Sequence, residues 1–122
     1  MKGILIDPEK GTITEVEVEK GIDAIYKLID CDCFDIQHIN ERAKQTNGIY
    51  VDDNGLCGQI KFGFQYGENQ PIAGKGLILG CDRNGETVDT NLNLEEVKAT
   101  VKIHTNYMSF RMGALAWSKK YE

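Results

Sequence analysis

Cys31-x-Cys33 sets two thiols on the same side of the chain if that segment is extended, which is how a metal site can begin. Structural zinc sites use a gap of about two to four residues and a second matching pair. Here Cys57 and Cys81 would have to converge from distant segments, so free thiols and no metal are expected. Asp82-Arg83-Asn84-Gly85-Glu86-Thr87-Val88-Asp89 has the polar density of a calcium loop. Its glycine stands fourth, where the EF-hand needs it sixth, and a β-turn accounts for these residues. Gly74-Lys75-Gly76 resembles the end of a phosphate-binding loop, which requires Ser or Thr after the lysine and then a helix. Glycine and the strand-like Leu77-Ile78-Leu79 follow instead, which excludes nucleotide hydrolysis of that type. His38 and His104 are the only histidines, and no nucleophile motif pairs with either. The 19 acidic residues are spread over the chain without a distinguishable pair for acid–base work. No catalytic residue and no cofactor is expected.

Binding chemistry is better represented. Phe62, Phe64 and Tyr66 alternate along one strand face, which reads either as one side of a sheet core or as a stacking platform, with Lys61 or Lys75 near for phosphate. Near the C-terminus, Tyr107-Met108-Ser109-Phe110-Arg111-Met112 through Trp117 is rich in the residue types enriched in interface cores. The candidate ligand- or partner-binding set is therefore Phe64, Tyr66, Lys75, Tyr107 and Arg111. The candidate dimer contact is Met108, Phe110, Met112, Leu115 and Trp117.

The elements that must position these residues are legible from periodicity and turn chemistry. Gly3–Asp7 and Thr12–Glu19 form a hairpin across Asp7-Pro8-Glu9-Lys10-Gly11, with Glu15, Glu17 and Glu19 toward water. Gly21–Asp30 carries Ile22, Ile25, Leu28 and Ile29 at helical spacing. Cys33–Ile39 reads as a strand, Asn40–Asn47 as a polar surface loop, and Ile49–Val51 as a short strand before Asp52-Asp53-Asn54-Gly55. Gln59–Tyr66 alternates as a strand, 67–74 is a loop, and Gly76–Cys81 is an apolar central strand. Asn93 with Glu96 predicts a capped helix over Leu94–Val101, followed by a strand over Lys102–Phe110 and a tail. The fold class is α+β: a curved, mainly antiparallel sheet with one or two helices packed on one face.

At 122 residues the chain suits one domain, with 104–122 a C-terminal extension for oligomerisation. Its composition, 41% hydrophobic and 27% charged, is that of a globular protein able to bury a core without disulfides. No run reaches the ~20 apolar residues of a membrane span, and the apolar run near Met1 is too short for a signal peptide. A cytoplasmic protein is expected. The net charge of −5, with 14 scattered basic residues, disfavours generic nucleic-acid binding. Three glutamates in a row are too few for a nucleic-acid mimic.

The order of the Ile4–Val18 hairpin, Ile25-Tyr26-Lys27-Leu28-Ile29-Asp30-Cys31, Ile49-Tyr50-Val51-Asp52-Asp53-Asn54-Gly55-Leu56, Pro71–Gly80 and Leu94-Glu95-Glu96-Val97 resembles a family of small proteins of unknown function. That family occurs in phages, plasmids and conjugative elements, and the resemblance covers about residues 2–103. It implies a mobile-element context and carries no catalytic residues over. The functional expectation is counter-defence by stoichiometric binding, either blocking a defence nuclease such as Cas9 or sequestering a nucleotide immune signal. The partner is then a host defence protein or a signalling nucleotide, and the chain itself a homodimer or higher oligomer. The alternatives are a small enzyme of nucleotide metabolism and a structural or regulatory component of a mobile element.

Overall fold

A computed structural model describes residues 1–42, 45–54 and 59–120. The first hairpin forms as its turn chemistry predicts. β1 (Lys2–Asp7) pairs antiparallel with β2 (Thr12–Glu17), and Gly11 at φ 71° closes the turn in the left-handed region that glycine tolerates. α1 (Ile22–Ile29) buries Ile25 and Ile29. It ends on Asp30, itself left-handed at φ 53°, while the Cys31 N–H donates to Tyr26 O at 3.1 Å.

β3 (Phe34–Arg42) and β4 (Gln45–Asp52) form the next antiparallel pair. The 40–47 segment expected as a loop is thus largely strand on both sides of residues 43–44. The sequence there is polar because the strands carry a buried amide cluster. Asn47 is fully buried. Its Nδ2 donates to Asn40 Oδ1 at 3.0 Å and Asn91 Oδ1 at 2.7 Å, and its Oδ1 accepts from Thr90 Oγ1 at 2.8 Å. The pairing register shifts between His38 and Asn40. Ile39 packs on the core while Ile36 stays exposed, as alternation dictates, and the bulge re-phases the strand beyond it so that Asn40 pairs with Asn47.

β7 (Gly76–Cys81) is the central strand, as its apolar run predicts. The strand order is β2-β1-β7-β4-β3, and β8 (Thr87–Val88) also pairs with β7. A second sheet is built from β6 (Ile72–Ala73), β5 (Gly63–Tyr66) and β9 (Val101–His104). α2 (Leu94–Thr100) begins at Asn93, whose side chain accepts from the Glu96 N–H while the Glu96 carboxylate accepts from the Asn93 N–H. Every strand pairing between described residues is antiparallel.

The α+β class and the mainly antiparallel sheet are as the sequence implies, and the layering is fuller than one sheet with helices on one side. One face of the large sheet carries Tyr50, Leu77 and Leu79 and is covered by Ile25 and Ile29 of α1. The other carries Ile4, Ile6, Ile49, Val51 and Ile78, covered by Phe64 and Ile72 of the small sheet and Val97 of α2. The strand expected over 102–110 stops at His104. The chain then turns into α3 (Tyr107–Lys120), so Phe110 and the expected tail are helical.

Candidate functional site

α3 is capped at its start and held against β5 and the turn that follows it. The Asn106 side chain accepts from the Ser109 N–H at 2.9 Å, starting the helix. Phe110 is buried against Gly63, where an added Cβ would lie 2.4 Å from the Phe110 ring. The Trp117 Nε1–H donates to Glu68 O at 2.9 Å, and Lys120 pairs with the Glu68 carboxylate. Under this helix lies His104, 3% exposed, its Nδ1 sharing a 2.7 Å hydrogen bond with Ser109 Oγ. Its Nε2 faces Gly113, whose added Cβ would come within 2.7 Å. Burial, with Lys102 second, pulls the His104 pKa down. The imidazole packs and orients the first turn of α3. Among the described residues its hydrogen-bond partner is the Ser109 hydroxyl, and His38 stands apart, exposed on β3.

The side chains that converge most are acidic. Where α1 ends and β3 and β4 meet, Asp30, Asp32, Asp35, Asp52 and Asp53 line adjoining clefts, and Asp52 borders all three of them. The opposite wall is Gln70–Gly74 with Gln59–Phe62. Turn chemistry fixes several of these acids. Asp35 Oδ1 accepts from the Ile36 N–H and Asp52 Oδ1 from the Asn54 N–H, each at 2.9 Å, and the Asp53 N–H donates to Cys33 O at 2.9 Å. Lys75 enters the same clefts with its Nζ 2.7 Å from Asp30 Oδ2, a bond that holds the ammonium above its ordinary pKa. Burial, then Asp52, pushes the half-buried Cys31 thiol up to about 11. Cys33 is exposed with its Sγ 4.0 Å from Asp53 Oδ2. Among the described residues no group of three or more Cys, His, Asp or Glu is placed to hold a metal ion. Cys31, Cys33 and Cys81 are free thiols, and Cys57 lies outside the described residues.

The five residues expected to contact a ligand do not form one site. Phe64 is fully buried between the sheets, its ring against Gly76, and offers no surface. Tyr66 is half-buried against the same core. Lys75 sits in the acidic clefts, while Tyr107 and Arg111 lie one turn apart on the outside of α3. The expected dimer residues divide likewise. Met108, Met112 and Leu115 are 63%, 64% and 50% exposed on the outer face, whereas Phe110 and Trp117 face the body. Phe110 therefore cannot serve as a contact. The aspartate cluster was not legible in the sequence because its members fall in different elements, Asp30 at a helix end, Asp35 in a strand and Asp52 and Asp53 in a turn signal; the density of Asp30, Asp32 and Asp35 was the available clue.

The molecule is thus a two-sheet α+β body with an acidic cleft region and an added C-terminal helix. The chain belongs to the DUF3846 family, a domain of unknown function whose model matches residues 1–102. That match ends inside β9 and leaves α3 outside. No curated protein and no solved structure matches the chain. No helix of the described residues is long and apolar enough to cross a membrane.

Proposed function

We propose that this chain is a non-enzymatic counter-defence protein of a phage or other mobile element, acting by stoichiometric binding to a protein, with a nuclease such as Cas9 as the partner class. The observation that carries this reading is the convergence of Asp30, Asp32, Asp35, Asp52 and Asp53 around one cleft region in a chain of net charge −5. A surface on which one sign predominates steers partners of the other sign and disfavours phosphate. The nucleic-acid groove of a nuclease is basic and fits such a surface. A signalling nucleotide fits it less well, because the five aspartates outnumber Lys27, Lys61 and Lys75 around these clefts and Lys75 is already engaged by Asp30. The sequence resemblance to mobile-element proteins supports the biological setting, the host-cell cytoplasm. Self-association through 104–122 belongs to the same reading.

The test is titration into a Cas9 DNA-cleavage reaction. Inhibition is expected to saturate near one equivalent, to weaken with added salt, and to weaken on the order of 3–10-fold when Asp35→Asn and Asp53→Asn are combined. Absent inhibition, or inhibition indifferent to both salt and these substitutions, overturns the acidic-surface reading. Native mass spectrometry with cyclic and ADP-ribose-derived nucleotides separates the rivals. A retained, unaltered nucleotide supports a sponge, and a chemically altered one supports a small enzyme of nucleotide metabolism.

A further inference from the structure

The 14-residue helix α3 has two apolar faces, and only one is used by the body. Phe110, Gly113 and Trp117 face inward. At helical spacing, Tyr107, Met108, Arg111, Met112, Leu115 and Lys119 fall on the opposite side. Tyr107, Met108, Met112 and Leu115 are 46%, 63%, 64% and 50% exposed, and they are four of the six large exposed hydrophobics among the described residues. Isolated surface apolar residues need no explanation, but four on one helix face form a continuous stripe.

We propose that this stripe is the contact between two copies of the chain, with the two α3 helices packed antiparallel about a twofold axis near Gly113–Ala114. The inference rests on the self-association proposed above and fixes its geometry. Charge selects the arrangement. The described part of α3 holds basic residues and no acid. Parallel pairing would set Arg111 against Arg111 and Lys119 against Lys119. Antiparallel pairing sets Met112 of each copy against the other copy's Leu115 and brings each Lys119 level with the other's Met108. There its aliphatic stem covers apolar surface while its ammonium stays in water. Area sets the strength. The exposed parts of these four large side chains, with the stems of Arg111 and Lys119, offer on the order of 500 Å² per copy. That lies between a crystal-packing contact and a stable interface of about 800 Å² per partner. The dimer is therefore reversible, forming between about 10 μM and 1 mM.

Sedimentation velocity on the full chain across that range tests it. The expected result is a concentration-dependent dimer that is lost in Met112→Lys and in Leu115→Glu, each with an unchanged melting temperature because both side chains face solvent. Mixing these two variants is expected to restore a dimer, because antiparallel pairing places the new lysine opposite the new glutamate. A dimer that survives both substitutions places self-association on another surface and overturns the α3 contact alone. A dimer lost in both variants but not restored by mixing overturns the antiparallel geometry. A chain monomeric at 1 mM overturns both the contact and the self-association; if that monomer co-sediments with phosphatidylglycerol vesicles, the stripe faces lipid instead.

Discussion

His104 shows how one buried side chain ties folding to pH. Burial, helped by Lys102, keeps its imidazole neutral in the folded chain. The unfolded chain takes up a proton there as pH falls through about 6.5, whereas the folded chain resists until lower pH. Stability from this group is therefore complete above about pH 6.5 and is lost as pH falls below it. Urea unfolding at pH 7.5 and pH 5 should show a larger loss for the native chain than for His104→Gln; equal losses would place the pH dependence elsewhere. Cys31 shows the opposite displacement. Its thiol, pushed to about 11, stays protonated at pH 8, so iodoacetamide should alkylate exposed Cys33 well before Cys31. Peptide mapping after short exposure reads this directly. Asn47 carries more of the fold than either. Replacing it by alanine strips the Thr90 hydroxyl and two asparagine side chains of their shared partner. We expect a loss of about 2–4 kcal/mol by chemical denaturation, against well under 1 for a surface change such as Asn84→Ala. This cluster is also where the sequence misled. Asn40 and Asn47 read as loop by polarity, and the hydrogen bonds that Asn47 shares with Asn40, Thr90 and Asn91 are what make its buried strand position possible.

α2 and α3 show opposite degrees of legibility. α2 was readable because Asn93 and Glu96 form a local capping box and Val97 points inward, so signal and structure lie within a few residues of each other. α3 was not, because Phe110 and Trp117 on one side and Met108, Met112 and Leu115 on the other cancel any single apolar stripe. The alternation before Phe110 then suggested a strand that ends six residues earlier than expected, at His104. Gly63 beneath α3 and Gly113 within it were equally silent, since a glycine required by a neighbouring ring has no sequence signature. Gly113→Ala would ordinarily favour a helix by about 1 kcal/mol. Here the added methyl meets His104 Nε2 at 2.7 Å, and a net loss of about 1–3 kcal/mol is expected. Gly63→Ala meets both Phe110 and the Ile72 carbonyl at 2.4 Å and should cost more. Thermal melts of the two variants beside Ser118→Ala, on the outer side of the helix, measure this; a stabilised Gly113→Ala would show that the helix shifts freely.

On the scale of the whole molecule, β7 divides the protein into two cores of different construction. The face toward α1 is closed by one short helix, and the other by a small sheet, α2 and the covering they share. The sequence carried β1, β2 and β7 of the large sheet well, because those strands alternate or run apolar over several residues. It carried the small sheet poorly, because β5, β6 and β9 are two to four residues long and exist only by pairing with one another. Charge is arranged at this scale too. The aspartates gather at the end of the large sheet, while the basic residues of α3 ride on the small one.

The Gly63 hollow that receives Phe110 lies within the part of the chain common to the family, whereas the ring that fills it does not. The body is in this respect a keyway cut for an insert supplied from elsewhere. Family members without an aromatic insert are expected to carry a side chain at the position of Gly63, closing from within a gap that this protein stoppers from outside. Comparing that position across members with and without a C-terminal helix would show whether key and keyway changed together.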